Sequence, residues 1–239
     1  MPPKIKIDTL IVSDVHLGSL VARADKLNEF LRNNEFKRLI ILGDLFDDIN
    51  FNRLNRNSWE LLSHIRDLSS VKIGCEVVWV RGNHDKKLMD LMSRLVGTIV
   101  YDEYIWEFQG KRFLAVHGDR FDKFFIRKTP IINKLARLLF LSLQNFDKNA
   151  KHIVKFLERS HTSWLRISSK VANGAVKYAG VVEADFVFCG HTHEAMEKVF
   201  PNGNGDKKIF YFNTGSWVRS PSTYVTIDET GKVALEKYK

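Results

Sequence analysis

Cysteine is almost missing from this chain: Cys75 and Cys189 are the only two among 239 residues. Two thiols cannot make a disulfide framework or a four-thiolate metal site. Lying beside or within apolar runs, they are expected as buried free thiols in a reducing compartment. No apolar stretch approaches the ~18–20 residues that a membrane-spanning helix needs. An apolar leader is lacking too, since Met1-Pro2-Pro3-Lys4 runs straight into a strand pattern, so a cytoplasmic location is expected. There is no internal repeat and no low-complexity tract to suggest an array or a disordered region.

What remains has the composition of an ordinary folded protein, 44% hydrophobic and 27% charged. The length suits one domain over 1–239, able to bury a substantial core and to carry an insertion. Charge is the unusual property. The formal net charge is +9, and between Arg120 and Gly180 there are 13 Lys or Arg against three acids. The other 24 basic and 25 acidic residues nearly cancel. The basic character therefore belongs to residues 119–180. That segment is expected to hold an anionic partner: a phosphorylated substrate, a nucleic acid or an acidic membrane surface.

Five short segments carry the chemistry: Asp14-Val15-His16, Gly43-Asp44, Gly82-Asn83-His84-Asp85, Val116-His117-Gly118-Asp119 and Gly190-His191-Thr192-His193. Each follows an apolar run that reads as a strand, such as Leu39-Ile40-Ile41-Leu42 or Phe186-Val187-Phe188-Cys189. In open α/β sheets, ligands bind outside the carboxyl ends of the strands. The polar residues thus fall where a site should be.

Around them the first 118 residues alternate strands with helical patterns at 23–33, 58–69 and 86–95, the signature of βαβ units. Strands at 104–108 and 111–116 flank a hairpin turn at Gln109-Gly110. From 119 to about 178 the pattern is helical, with an apolar stretch at 130–146 and an amphipathic one at 148–159. Strands return after Ala184, at 197–200, 209–213, 223–227 and 232–238, separated by loops rich in turn residues. The fold expected is α/β, two packed sheets flanked by helices, with a basic helical cap inserted before the last motif.

Divalent metals that assist phosphate chemistry favour Asp, His and Asn with open positions for water. Two ions can clamp the attacking and leaving oxygens of an in-line displacement, and such a pair needs a bridging carboxylate. Asp44 is the candidate bridge. Asp14, His16 and one terminal histidine would complete one ion; Asn83, His117 and the other terminal histidine would complete the second. His84 is left beside a ligand, free to donate a proton or stabilise a leaving group. Singly, each motif is a good turn sequence, and His-Thr-His is a pair at strand spacing that would put both imidazoles on one face. Together they hold five of the eight histidines. His64, His152 and His161 sit in helical patterns and are expected to pack or face solvent.

The set resembles the calcineurin-like metallophosphoesterases, whose pattern is D-x-H, G-D, G-N-H-D/E, H and G-H-x-H. The likeness spans Asp14 to His193. It implies a four-layer αββα sandwich and two divalent ions, manganese being frequent, with Fe, Zn, Co and Ni compatible with the same ligands. By that likeness Asp14, His16, Asp44 and His193 bind the first ion, Asp44, Asn83, His117 and His191 the second, and His84 stands near the scissile phosphate. Asp44 and His84 are then the catalytic pair, with Asn83, His84 and His191 also meeting the substrate.

Within the family the chain is most similar to the UDP-2,3-diacylglucosamine diphosphatase group of lipid A synthesis. Length, the entry of the cap after His-Gly-Asp, and the run Arg166-x-x-Ser169-Lys170-x-x-Asn173 carry that similarity. It implies substrate contacts from Arg166, Ser169 and Asn173. It also implies cleavage of a nucleotide-linked lipid diphosphate, and contact of the apolar 131–146 stretch with acyl chains or the inner face of a membrane. That group has Gly-Asn-Arg-Asp where this chain has Gly82-Asn83-His84-Asp85, the general phosphoesterase form. A hydrolase of soluble nucleotides or other phosphoesters is the alternative. A non-catalytic scaffold on this fold would lack ligands, and none is missing. No separate nucleic-acid module is present.

Overall fold

The computed structural model describes residues 7–70, 73–85, 98–122, 161–202 and 207–239, the side chains of 161–166 excepted. The helices expected at 86–95, 130–146 and 148–159 lie outside the described residues, as does most of the segment expected as a cap.

Two sheets pack face to face. The first has strand order β11-β10-β1-β2-β3-β4 and the second β5-β6-β7-β9-β8. In the first, β1 (Ile7–Val12), β2 (Phe36–Leu42), β3 (Glu76–Val80) and β4 (Val100–Tyr101) run parallel. There β10 (Ser222–Asp228) pairs antiparallel with β1 and β11 (Val233–Tyr238) antiparallel with β10. In the second, β6 (Lys111–Ala115), β7 (Phe186–Cys189) and β9 (Lys208–Asn213) are parallel, flanked by antiparallel β5 (Tyr104–Phe108) and β8 (Met196–Pro201).

Side-chain alternation in strands explains the layers. Leu10, Val12, Leu39, Ile41 and Trp79 face helices α1 (Ala24–Asn33) and α2 (Arg56–Leu68), meeting Leu27, Phe30, Leu31, Leu61 and Ile65. Their neighbours Ile11, Ile40, Leu42, Val78 and Val80 point the other way, onto Trp106, Phe113, Phe186, Phe188 and Phe212 of the second sheet. The outer face of that sheet is covered by α3 (His161–Val181), through Ala172, Ala175, Val176 and Ala179 against Leu114, Val187 and Tyr211. The layers are therefore helix, sheet, sheet, helix. Strands covered on both faces need continuous apolar runs, which is why β1 to β3 and β7 were readable.

The helices start and stop for local reasons. Asn55 caps α2 by accepting from the Ser58 backbone N–H at 2.9 Å. His64 of α2 meets Asn28 of α1 through Nδ1 and Oδ1 at 2.8 Å, a packing role as its helical position suggested. His152 and the His161 side chain lie outside the described residues. Cys75 and Cys189 are buried and free, and no helix among the described residues is long and apolar enough to cross a membrane.

Candidate metal centre

Parallel strands end together. The turns after β1, β2 and β3 carry Asp14, Asp44 and Asn83, and those after β6 and β7 carry His117 and His191. Their backbones are cross-tied: Asp14 N donates to Gly43 O at 3.1 Å, His16 N to Asp44 O at 3.0 Å, and Gly190 N to His117 O at 3.0 Å. To turn side chains inward at a strand end, the backbone adopts left-handed φ at Asp14, His16, Asp44, His191 and His193, five of the seven described non-glycine residues with positive φ. Asp and His tolerate that region better than most residues, and such turns concentrate at functional sites. The His-Thr-His stretch is thus not a strand. It is a turn whose two left-handed histidines flank buried Thr192, and that geometry, rather than strand alternation, brings both imidazoles inward.

The side chains converge. One group joins Asp14, His16 and His193; a second joins Asp44, His117 and His191; a third joins His16, Asp44 and His84. Within each, one ligand atom per residue lies within 4.8 Å of the others. Nε2 of His193 is 3.1 Å from Asp14 Oδ1, and Nε2 of His16 is 3.1 Å from that of His193. Across the sheets, His117 Nε2 is 3.3 Å from Asp44 Oδ2 and His16 Nε2 is 3.9 Å from the same oxygen. Asn83 Oδ1 lies 3.0 Å from His191 Nδ1. Asp44 therefore stands between the two groups of side chains. His84 is exposed beside them, its ring 5.0 Å from that of His16.

Whether these residues suit metal ions can be judged from His117. Its Nδ1 meets the Leu42 carbonyl at 2.9 Å, an oxygen that can only accept, so Nδ1 carries the proton. Its Nε2 is buried and faces Asp44 at 3.3 Å, with no hydrogen-bond partner among the described residues. A buried nitrogen beside a carboxylate, with the other nitrogen anchored on a carbonyl, has a ligand's geometry once its proton is displaced. Five donors of the type that hard and borderline divalent ions accept surround Asp44 and Asp14, so the clusters fit a binuclear centre.

In the metal-free protein, protons balance the charges. Burial works against charge at Asp14, but His193 and His16 outweigh it and hold the carboxyl well below its usual range. Asp44 behaves likewise, with burial opposed chiefly by His117. Burial disfavours a charged imidazole, yet Asp14 and Asp47 raise His16 to about 10, and Asp44 raises His117 to about 10. His193 is lowered, by burial first, with Asp14 opposing.

Four supporting residues have no role assigned by the motifs. Asp85 is buried, and its carboxylate accepts from the N–H groups of Leu45, Phe46 and Gly82 at 3.2–3.3 Å and from Trp79 Nε1 at 3.4 Å. It pins the Asp44 turn to the Asn83 turn. Asp47 sends its carboxylate to His16 at 3.5 Å and to Arg53 at 2.7 Å, and its carbonyl accepts His84 Nδ1. Asp122 lies 3.4 Å from His191 Nε2. Asn213, at the end of β9, donates to Gly190 O at 2.7 Å and bonds Thr192 Oγ1 at 3.1 Å, bracing the last turn. The available signal for two of them was position: Asp47 and Asp122 each follow another motif aspartate by three residues.

Close approach explains Gly190, where a Cβ would overlap Asp14 Oδ2 and the Ser13 side chain. Of the residues expected to touch substrate, Asn83 and His84 are exposed at the centre, and Ser169 and Asn173 are exposed on α3. The Arg166 side chain lies outside the described residues.

Comparison with known proteins adds four findings. The family model described as calcineurin-like phosphoesterase matches residues 7–195. The chain is similar to UDP-2,3-diacylglucosamine hydrolase of Escherichia coli O139:H28 (strain E24377A / ETEC), 26% identical over 230 residues, covering 87% of this chain and 90% of that one. The protein of the same name from Shigella flexneri matches equally, at 26% over 230 residues with the same coverage. Among solved structures, Yfce, a phosphoesterase from E. coli, shares the fold with a TM-score of 0.50 and 17% identity, covering 97% of this chain and 99% of that one.

Proposed function

The chain belongs to the calcineurin-like phosphoesterase family, a metal-dependent phosphoester hydrolase by that membership, and we propose that its substrate is a nucleotide-linked lipid diphosphate. UDP-2,3-diacylglucosamine, or a close analogue, would be cleaved to a lipid monophosphate and UMP. The observation that carries the reading is the match along 87% of the chain to a hydrolase of that compound. The basic balance of residues 119–180 supports it, since a diphosphate needs neutralising charge.

In this reading Asp14, His16, Asp44 and His193 hold one divalent ion and Asp44, Asn83, His117 and His191 the other, manganese being the proposed metal. Such ions polarise a phosphoryl oxygen and lower the pKa of water. The chain's own groups do the rest. Asp47 O fixes the proton of His84 on Nδ1, leaving Nε2 to face the exposed side of the centre, where it can hold a proton for the leaving oxygen. Asp44, tied to the His84 backbone N–H at 2.9 Å, keeps that imidazole in register with the ligands. Ser169 and Asn173, one turn apart on α3, offer hydroxyl and amide contacts to the substrate together with Arg166. Val171 of the same helix packs on Gly118, next to His117, which brings the helix alongside the centre.

A second reading, a soluble phosphodiester or nucleotide as substrate, is favoured by one residue: His84 stands where the lipid-diphosphate group carries arginine. The deciding experiment is manganese-activated hydrolysis of UDP-2,3-diacylglucosamine beside bis-p-nitrophenyl phosphate. UMP released from the lipid far faster than the generic diester is cleaved supports the first reading. Turnover of the generic diester alone retains the metal chemistry and discards the lipid.

A further inference from the structure

The imidazoles of the centre are not oriented alike. His117 and His84 anchor Nδ1 on backbone carbonyls, those of Leu42 and Asp47, and His16 turns Nδ1 to the Asp47 carboxylate. His117 and His16 therefore present Nε2 to Asp44. His193 also points Nε2 inward, at Asp14. His191 is the reverse: Nδ1 and Asn83 Oδ1, the two atoms that the reading above turns toward one ion, lie 3.0 Å apart, which leaves Nε2 to meet Asp122 Oδ2 at 3.4 Å.

An imidazole binds a metal through one nitrogen only if the proton resides on the other, and the oxygen that the other nitrogen meets decides this. We propose that Asp122 is the positioning residue that keeps His191 protonated on Nε2, so that Nδ1 is free to ligate beside Asn83. This rests on the metal-centre reading above.

The location of Asp122 supports the role. It is 1% exposed, so its carboxylate is held by protein rather than water. The turn that bears it is fixed on both sides. Arg120 pairs with Glu103 at 2.7 Å and donates to Asp102 O at 3.1 Å, and Tyr178 of α3 donates to Glu103 at 2.8 Å. Phe121 fills the space over Gly174 of α3, where a Cβ would collide with its ring. Asp122 N donates to Asp119 O at 3.0 Å, closing the turn. The 3.4 Å separation is at the long end for a hydrogen bond, a distance that can shorten when the ligand set closes on an ion.

The test is nitrogen NMR of the histidine side chains in the 15N-labelled, zinc-loaded full chain, zinc being diamagnetic. The expected spectrum shows His191 bound through Nδ1, with a proton on Nε2. Asp122→Asn, whose amide can present N–H groups to Nε2, should weaken zinc binding by roughly 10–100-fold, and Asp122→Glu should restore part of that loss. Zinc bound through His191 Nε2 in the wild-type chain overturns the proposal without any variant. Unchanged zinc affinity in a folded Asp122→Asn chain also overturns it. A wild-type chain that takes up no zinc and no manganese sinks the metal centre itself, and this inference with it.

Discussion

Gly82 lies against Asp44 so closely that a Cβ at position 82 would overlap both the carboxylate and the backbone nitrogen of Asp44. The glycine in Gly-Asn-His-Asp is therefore the space into which the shared carboxylate fits. Gly82→Ala should push Asp44 out of place. Forced overpacking costs about 1–3 kcal/mol, so the melting temperature should fall by roughly 2–12 °C at this chain length. Metal content measured after dialysis should drop for both ions, as it should in Asp44→Ala. Full metal content in Gly82→Ala would remove Asp44 from the bridging position.

His84 touches the cluster from its exposed side. His84→Ala should leave metal content nearly intact while lowering turnover of a phosphodiester by roughly 10²–10⁴-fold, the usual worth of a proton-transfer group. Wild-type turnover in this variant would end its catalytic role.

Protons and metals compete for the same nitrogens. In the metal-free chain His16 and His117 are raised to about 10, so both carry a proton at neutral pH that an ion must displace. Manganese affinity should therefore rise with pH, by up to about tenfold per unit for each proton released. The same shifts set the stability of the metal-free protein. A histidine raised above its unfolded value stabilises the fold fully below about 6.5, and that contribution fades as pH climbs toward about 10. Melting of chelator-treated protein between pH 6.5 and 10 should show a decline that metal-loaded protein resists. A flat profile in both would contradict the assignment.

Asp85 is a structural pin. Burial, and next the charge of Asp44, push it up to about 6 against the backbone N–H groups that favour its charged form. Asp85→Ala strands those donors, at about 1–3 kcal/mol for each one left buried and unpaired. Urea unfolding should show a loss of at least about 3 kcal/mol. Asp85→Asn keeps an acceptor oxygen without the buried charge and should lose less. Equal losses in the two variants would mean the donors find other partners.

Much of this was legible in the sequence because of burial. Runs such as Leu39-Ile40-Ile41-Leu42 are apolar at every position since both faces are covered, and their ends are marked by Gly and Asp. The Asp and His residues that cluster after them could be read directly. Edges were blurrier: β1 begins at Ile7 and β10 at Ser222, where polar residues such as Asp8 and Ser222 are buried by pairing rather than by hydrophobicity. The helical pattern ending near residue 178 continues to Val181, and its final turns form the outer layer over β7 and β9 because small alanines allow close packing there. The bracing roles of Asp47, Asp85, Asp122 and Asn213 leave no mark in the sequence for a different reason. Their partners are up to 69 residues away, and short-range pattern carries no trace of a hydrogen bond across turns.

The paired turns also impose an order on the life of the chain. Asp14 is synthesised early, but its carbonyl waits for the N–H of Trp217 and its carboxylate for that of His191. Strand β1, beside it, remains an open edge until β10 arrives from the C-terminal end. A nascent chain still on the ribosome can therefore form α1, β2 and α2, yet it has no complete centre. A chain truncated before β10 keeps every one of the clustered Asp and His residues but leaves the strand that leads into Asp14 without its partner on that side.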